Sequence, residues 1–248
     1  MTSLQNHVAV VTGASSGIGR AIALSIANQG GKVCLVARRG QELEAIKTSI
    51  KDNLSSVFLY PTDLSETESI HRLAAKLNDD FEHIDILVHS AGAYFRGPMA
   101  QASVADFEYQ YRTNVLAPYA LTQALLPRIK PKRGQIVFIN SSAGLSASEN
   151  LGQYAATKHS LRALADSLRQ EVNRDGMRVL SVYLGRTATP MQQAVYEAEG
   201  KPYEPEKLMQ PRDVATMIVG ALGLPRTAEV TEIHMRPLTR PLSQGVSS

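Results

Sequence analysis

Residues 7–19 read His-Val-Ala-Val-Val-Thr-Gly-Ala-Ser-Ser-Gly-Ile-Gly, an apolar run followed by three closely spaced glycines. The apolar run has the length and composition of a strand that is buried on both faces of a parallel sheet. A helical pattern follows and ends at Gly30-Gly31, and a second apolar run covers residues 32–37. Glycines in a turn can be purely structural, but a strand before them and a helix after them favour pyrophosphate binding at the helix N-terminus. The stretch therefore predicts a dinucleotide-binding βαβ unit.

The end of the second strand indicates which dinucleotide is bound. In many such folds an acidic residue here binds the ribose 2′-hydroxyl, but this chain has Ala37-Arg38-Arg39. An arginine at this position suits a 2′-phosphate, which predicts NADP(H). The alternative is that both arginines are surface residues paired with Glu42 or Glu44.

Apolar runs of strand length alternate with helical patterns along the rest of the chain. The further runs are 57–60, 84–88, 136–140, 178–183 and 229–235. This alternation predicts an α/β fold, a single-domain Rossmann-type, doubly wound parallel sheet of about seven strands with helices on both faces. We expect residues 1–248 to form one dinucleotide-binding and catalytic domain. Within it we expect a substrate lid at about 186–209 and a loosely held tail at about 237–248.

Two helices carry more detailed expectations. Ser65 and Glu68 have the spacing of a capping box at the start of a helix. A long helical pattern covers residues 104–129 and contains Asn114 and Pro118, which predict a kink.

Composition limits the classes of function. The net charge of +3 is too modest to argue for nucleic acid as a partner. The single cysteine, Cys34, lies in a strand pattern, where we expect a buried small hydrophobe, and no Cys/His cluster has zinc spacing. We find neither a signal peptide nor an apolar run long enough to span a membrane. We therefore expect a cytoplasmic protein without a metal site or membrane contact.

Tyr154 and Lys158 lie four residues apart in a pattern that continues as a helix through Leu168. Residues four apart share one helix face, so the ammonium can approach the phenol. A free tyrosine titrates near pH 10, so half-ionisation at pH 7 requires about 4 kcal/mol, and a nearby cation is one source of it. A tyrosine tuned in this way can exchange a proton with a carbonyl oxygen.

Context separates this pair from a chance occurrence. Ser141 follows an apolar run and so places a hydroxyl at the carboxyl end of a strand, where open α/β sheets bind ligands. A second Tyr-x-x-x-Lys pair, Tyr203 and Lys207, is interrupted by Pro205 and cannot lie inside a regular helix.

Together these motifs resemble the short-chain dehydrogenase/reductase family over essentially the whole chain. The residues that carry the resemblance are Thr12-Gly13-x-x-x-Gly17-Ile18-Gly19, Asp63, Ala91-Gly92, Asn114, Ser141, Tyr154 and Lys158. The glycine spacing is similar to that of the compact branch with short C-terminal regions.

The resemblance implies a role for each catalytic position. Tyr154 would be the general acid/base, and Ser141 would hydrogen-bond the substrate oxygen. Lys158 would lower the pKa of Tyr154 and bind the nicotinamide ribose. Asn114 would support a water that relays protons to Lys158.

The resemblance also implies a cofactor site. Asp63 would face the adenine, Gly92 would let the cofactor pass closely, and Thr189 would contact the nicotinamide carboxamide. The full set comprises Gly13, Ser15, Ser16, Gly17, Ile18, Gly19, Arg38, Arg39, Asp63, Leu64, Ala91, Gly92, Tyr154, Lys158, Gly185, Thr187 and Thr189.

This chain departs from the family pattern in two places. The family usually has Asn-Asn-Ala-Gly where this chain has His89-Ser90-Ala91-Gly92, which removes the usual side-chain tie between neighbouring strands. We expect His89 to be a structural histidine. The family usually has Pro-Gly where this chain has Leu184-Gly185, so we expect a less firmly fixed backbone beside the nicotinamide.

The implied function is that of an NADP(H)-dependent oxidoreductase that interconverts a ketone or aldehyde and an alcohol. Alternatives within the family are a 3-oxoacyl-carrier-protein reductase and a hydroxysteroid-type dehydrogenase, and outside it a non-catalytic dinucleotide-sensing protein. Tyr94, Leu145, Met191 and Val195 indicate an apolar substrate pocket, although they could equally be lid packing.

Assembly is the last expectation. The helix that contains Tyr154 is apolar on more than one side. The resemblance implies that it and the 104–129 helix pair with their symmetry mates in a homodimer or homotetramer acting on a small-molecule substrate. The alternative is that the rest of the domain alone covers both sides of the helix.

Overall fold

One parallel sheet forms the centre of the molecule. The computed structural model describes residues 4–50 and 56–238, in which the strand order is β3-β2-β1-β4-β5-β6-β7. The strands are β1 Val8–Thr12, β2 Lys32–Ala37, β3 Val57–Pro61, β4 Ile86–His89, β5 Gln135–Ser141, β6 Arg178–Leu184 and β7 Glu232–Met235. The predicted doubly wound Rossmann-type sheet is confirmed, although β7 begins later than the predicted residue 229. Most of the predicted tail, from residue 239 onward, lies outside the described residues.

Helices cover both faces of the sheet. They are α1 Gly17–Ala27, α2 Gly40–Ser49, α3 Thr67–Asp80, α4 Val104–Tyr111, α5 Ala117–Ile129, α6 Gly152–Val172, α7 Pro190–Ala198 and α8 Pro211–Leu222. Helices α1, α2 and α8 pack on one face, and α3, α5 and α6 pack on the other.

The strands alternate between the two hydrophobic cores. In β1, Ala9 and Val11 belong to the core under α1 and α8, whereas Val8 and Val10 belong to the core under α3 and α5. Full burial of a side chain such as Val or Leu contributes about 1.5–3 kcal/mol. Because its successive side chains point to opposite faces, β1 stabilises both cores at once.

The strand order reverses at β1, which pairs with β2 on one side and with β4 on the other. The chain segments that leave β1 and β4 therefore diverge and open a crevice at the carboxyl ends of the strands. Cys34 lies in β2 and is fully buried, as predicted.

Two helix expectations need correction. Ser65 and Glu68 form no capping box: α3 begins at Thr67 without a side-chain cap. Instead, Ser65 donates from its backbone N–H (2.9 Å) and its hydroxyl (2.7 Å) to Asp63 Oδ1, because a short polar side chain can hydrogen-bond locally in a turn. The predicted kink in residues 104–129 is a π segment, Arg112–Leu116, that contains Asn114, whereas Pro118 lies in the first turn of α5.

Candidate active site

A cleft of about 430 Å³ opens at the carboxyl ends of the strands. Ser141 and the Tyr154–Lys158 pair line it, as do three residues of the predicted substrate pocket, Tyr94, Met191 and Val195. The predicted cofactor residues also line it: Gly13, Ser15, Ser16, Gly17, Ile18, Gly19, Arg38, Arg39, Asp63, Leu64, Ala91, Gly92, Gly185, Thr187 and Thr189. Asn114 and Leu145 do not lie among the residues that line this cleft.

The glycines of the β1–α1 turn are needed for close approach. Gly13 has a left-handed backbone with φ of +66°, and a Cβ there would come within 2.8 Å of the Ala91 backbone. At Gly19 a Cβ would collide with the carbonyl group of Gly13, so α1 could not begin so close to the turn. The N-cap residue Ser16 makes no side-chain capping hydrogen bond. The first turn of α1 therefore presents backbone N–H groups to the cleft, an arrangement that suits an anion.

Thr12, at the end of β1, ties this turn to the chain after β4. Its buried hydroxyl donates to the carbonyl of Val88 (3.2 Å) and accepts from the N–H groups of Ser90 (3.0 Å) and Ala91 (3.1 Å). These three bonds hold the floor of the cleft in place although the family's usual asparagines are missing from this turn.

His89 is a structural residue, as predicted. Its Nε2 lies 2.7 Å from Thr122 Oγ1, and its ring stacks on Phe138 with centroids 5.0 Å apart. Burial lowers the pKa of His89 to about 3, so the ring is neutral at physiological pH. It joins β4 to α5 and β5 and is not part of the cleft.

The two arginines after β2 have different partners. Arg38 donates from Nη1 to the hydroxyl of Tyr109 at 2.9 Å, which holds its guanidinium toward α4. Arg39 pairs with Glu42 at 2.7 Å, and its side chain is 67% exposed. Arg39 is therefore a surface residue paired with Glu42, as the alternative interpretation predicted for both arginines. Arg38 remains the candidate for anion binding in the cleft.

Ser141, Tyr154 and Lys158 meet where β5 faces α6. Lys158 Nζ donates to the carbonyl of Ile139 at 3.0 Å and lies 5.8 Å from the centre of the Tyr154 ring. Asn140 fixes the helix against the strand by donating from Nδ2 to the carbonyl of Lys158 at 3.1 Å. The three candidate catalytic side chains are thus positioned by one strand and the helix that follows it.

Burial controls the ionisation of this group. It raises the pKa of Tyr154 to about 12, and a hydrogen bond with Ser141 acts in the opposite direction. It also lowers the pKa of Lys158, to about 8. We expected Lys158 to bring the pKa of Tyr154 below its usual value, but in this structure the pKa is raised, because desolvation of the phenol dominates. At pH 7 the phenol is a neutral proton donor beside an ammonium that is still mostly charged.

Asn114 lies behind the cleft. Its Oδ1 accepts from the N–H of Ala93 (2.8 Å), and its Nδ2 donates to the carbonyl of Ala93 (2.9 Å) and to Thr157 Oγ1 (3.0 Å). Thr157 in turn donates to the carbonyl of Tyr154 at 2.8 Å. The side chain therefore links the segment after β4 to the catalytic helix, and the π segment around it widens the turn.

The segment 186–209 forms the outer wall of the cleft and contains charges that sequence reasoning missed. Arg186 and Glu199 both line the cleft, and Glu199 is paired with Arg186, Lys201 and, from the chain after β4, Arg96. No local pattern signals this group, because its members are far apart in sequence. Thr189 caps α7 by accepting from the N–H of Gln192 at 3.1 Å.

The substrate side of the cleft is less apolar than predicted. The ring of Tyr94 packs edge-on against that of Tyr154, with centroids 4.8 Å apart, and Val195 is buried beside the cleft. Leu145, which we expected in the pocket, follows the short helical turn Ser142–Gly144, is exposed, and does not line the cleft.

Two kinds of feature are absent from residues 4–50 and 56–238. No helix there is long and apolar enough to cross a membrane. In the same residues, His, Cys, Asp and Glu side chains form no group of three or more that could hold a metal ion.

Comparisons with known proteins give one consistent result. The model of the family described as short chain dehydrogenase matches residues 7–200. An uncharacterized oxidoreductase of Staphylococcus saprophyticus is 32% identical over 240 residues, which are 96% of this chain and all of that protein.

Two solved structures with this fold are informative. An alcohol dehydrogenase from the archaeon Thermococcus sibiricus, complexed with 5-hydroxy-NADP, has a TM-score of 0.85 and 29% identity, covering 96% of this chain and 99% of that one. A closed form of serine dehydrogenase complexed with NADP+ has a TM-score of 0.84 and 26% identity, covering 95% and 97%.

Proposed function

Because this chain belongs to the short-chain dehydrogenase/reductase family, we propose that it is an NADP(H)-dependent oxidoreductase that interconverts a ketone or aldehyde and the corresponding alcohol. One observation carries the proposal: the phenol of Tyr154 lies close to Lys158, in the same cleft as Ser141 and the glycine turn of α1. The similar structures bound to 5-hydroxy-NADP and NADP+ support the choice of cofactor.

The residues of the cleft fit NADP(H). The turn at Gly13 has no room for a side chain, and the N-terminus of α1 offers backbone N–H groups for a pyrophosphate. Arg38 would meet the 2′-phosphate, and Asp63 would face the adenine. When bound, the nicotinamide supplies or accepts the hydride. Thr187 and Thr189 would border it on the outer wall.

Tyr154 would exchange the proton. With a pKa of about 12 it is neutral at pH 7, so in the direction of reduction it can donate to the developing alkoxide. Ser141 would hydrogen-bond the same oxygen and hold it in place. The ammonium of Lys158 would stabilise the phenolate that remains, since an opposite charge nearby favours the ionised form. Asn114, whose side-chain amide is bonded to Ala93 and Thr157, would position α6 and would not hold a relay water with that amide; the phenolate would regain its proton from solvent.

A turnover assay beside a binding assay tests the proposal. We expect NADPH to be consumed in the presence of at least one compound of a carbonyl panel that includes a 3-oxoacyl thioester, a steroid ketone and short aldehydes. Binding of NADPH is measured in the same samples without substrate. NADPH that binds but is never consumed would instead support a dinucleotide-sensing protein. The preferred panel member distinguishes the carrier-protein reductase and hydroxysteroid alternatives.

We also propose a homodimer or homotetramer. Large apolar side chains are exposed along α4, the π segment and α5, where Val104 is 72% and Tyr119 is 51% exposed. The outer side of α6 presents small residues such as Ala156 and Ala163, which allow close helix packing. We expect light scattering at micromolar concentration to give a mass of at least two chains, and Leu116→Asp to lower it. A parent mass of one chain would contradict the assembly.

A further inference from the structure

Arg186 and Glu199 line the outer wall of the cleft, and Arg96 and Lys201, which do not line it, pair with Glu199. These four side chains are here called the charged cluster. Glu199 Oε1 lies 2.8 Å from Arg96 Nη1, both of its oxygens lie 2.9 Å from Arg186 Nη2, and Oε2 lies 2.9 Å from Lys201 Nζ. The Glu199 side chain is only 10% exposed.

The cluster has more positive charge than it needs to hold itself together. Three cations surround one carboxylate, but the Lys201 side chain is 60% exposed and its charge is solvated. One positive charge, shared between Arg96 and Arg186, is therefore left without a partner in the cluster. Removing a charge from water is costly unless it is paired, and one cation would be enough to pair with Glu199. Arg186 is held further by its position over the ring of Tyr196, at 4.6 Å from the centroid. The excess charge is therefore fixed in place, and it suits an anion that comes from outside the chain.

The cluster is within reach of the reacting group. Arg186 and Glu199 line the same cleft as Tyr154. Tyr94 lies between the two sites: its ring contacts Tyr154 at 4.8 Å, and the charges of the cluster act on its phenol. Burial raises the pKa of Tyr94, while the positive charges of Arg96 and Arg186 lower it. Arg186, Tyr94 and the phenol of Tyr154 thus share one cleft.

From this geometry we infer that the substrate is a small hydroxy acid, or the corresponding oxo acid, whose carboxylate is bound by Arg186 while its alcohol or carbonyl oxygen is at Tyr154. The neighbouring positive charge of Arg96 adds to the attraction. The inference rests on the proposed function and names the substrate class for that site. It replaces the expectation of a purely apolar pocket. In this arrangement Glu199 holds the two arginines in position and also limits how strongly they attract an anion.

A different reading is that the cluster only fastens the segment 186–209 to the chain after β4. The two readings predict different results when the substrate charge is removed. If the cluster only fastens the segment, substitutions in it would change the turnover of an acid and of its uncharged ester equally. If the cluster binds the substrate carboxylate, the same substitutions would change the turnover of the acid alone.

The test uses 2- and 3-hydroxybutanoate, each paired with its methyl ester, and NADP+. The quantity measured is the ratio of kcat/KM for the acid to that for the ester, in which any general loss of activity cancels. In the parent we expect the acid of at least one pair to be favoured by about ten- to hundredfold, the factor that a charge-assisted hydrogen bond supplies. Arg186→Gln should lower this ratio at least tenfold.

Glu199→Gln should move the ratio in the other direction, because it removes the competing carboxylate and leaves the cations. The matched control is Lys207→Gln, in the same segment, whose partner Glu204 lies outside the cleft; it should leave the ratio unchanged. Equal turnover of acid and ester by the parent, or equal losses for both in Arg186→Gln, would overturn the inference.

The failure of this inference can be told apart from the failure of the proposed function. If neutral ketones or aldehydes are reduced but no hydroxy acid is preferred over its ester, the carboxylate site is wrong and the oxidoreductase stands. If no carbonyl compound or alcohol is turned over while NADPH binds, both are wrong.

Discussion

Different interactions hold the two walls of the cleft: the inner wall, formed by β5 and α6, and the outer wall, formed by the segment 186–209. On the inner wall, hydrogen bonds to backbone carbonyls position α6. The Lys158 ammonium donates to the carbonyl of Ile139, and the Asn140 side-chain amide donates to the carbonyl of Lys158. On the outer wall, ion pairs among Arg96, Arg186 and Glu199 hold the segment 186–209. The inner wall joins a strand to the helix that follows it, whereas the outer wall joins side chains far apart in sequence. Under the proposed function, the inner wall would carry the chemistry and the outer wall would select the substrate, so each could be changed separately.

Removing the Tyr154 hydroxyl should have the largest effect. Tyr154→Phe keeps the ring and its packing but loses the proton donor, so we expect kcat to fall by about 10²–10⁴-fold. NADPH binding, measured by titration, should stay close to that of the parent.

The second Tyr-x-x-x-Lys pair provides a matched control. Tyr203→Phe removes the same group from a tyrosine that does not line the cleft, and kcat should be unchanged. Near-normal turnover in Tyr154→Phe would mean that another group exchanges the proton.

The pH dependence should follow Lys158. Its pKa of about 8 means that the ammonium is present below pH 8 and is lost as the pH rises through that value. Tyr154, with a pKa of about 12, stays protonated over the same range. The kcat/KM for reduction should therefore be level below about pH 8 and decrease above it, by as much as tenfold per pH unit until a lower plateau is reached. A rate that increases through pH 8 would instead require a deprotonated group.

Cofactor choice should depend on one of the two arginines. Hydrogen bonds to charged groups contribute about 1.5–3 kcal/mol, so Arg38 should give about a ten- to hundredfold preference for NADPH over NADH. Arg38→Asp should remove or reverse this preference, because it places a negative charge beside the 2′-phosphate. Arg39→Gln, at the residue already paired with Glu42, is the control and should change the kcat/KM ratio of the two cofactors only slightly. A parent that prefers NADH would contradict the assignment.

Substitution of Thr12 should have the smallest effect on turnover and a measurable effect on stability. Thr12→Val keeps the shape but leaves the N–H groups of Ser90 and Ala91 without their acceptor. We expect the free energy of unfolding, measured in urea, to fall by about 1–3 kcal/mol. Thr12→Ser keeps the hydroxyl and should lose much less. Equal losses in both variants would show that the methyl group matters and the hydrogen bonds do not.

Much of the inner wall could be predicted because its signals are local. Strand runs, the glycine turn and the four-residue spacing of Tyr154 and Lys158 each lie within one short segment. The pKa of Tyr154 could not be predicted, since spacing places the ammonium near the phenol but does not reveal how deeply the phenol is buried. The start of β7 and the start of α3 were misplaced for a related reason: sheet pairing decides the first and local hydrogen bonds decide the second.

The outer wall was predicted only as a segment. Met191 and Val195 were found from their apolar character, whereas Arg186 and Glu199 were missed within the same range. Arg96, which completes their ion pairs, follows β4 and comes close only when the sheet has formed. Charged residues in a loop are ordinary surface residues until the fold shows that they share a cavity.

The most direct measurement of the central claim follows the hydride itself. NADPH carrying deuterium at both positions of the nicotinamide C4 is incubated with the parent protein and each compound of the carbonyl panel, and the alcohol is analysed by mass spectrometry. We predict one deuterium on the carbinol carbon of the product from at least one compound, and none when Tyr154→Phe is used for the same time. NADPH that binds to the parent without transferring deuterium to any carbonyl would contradict the account.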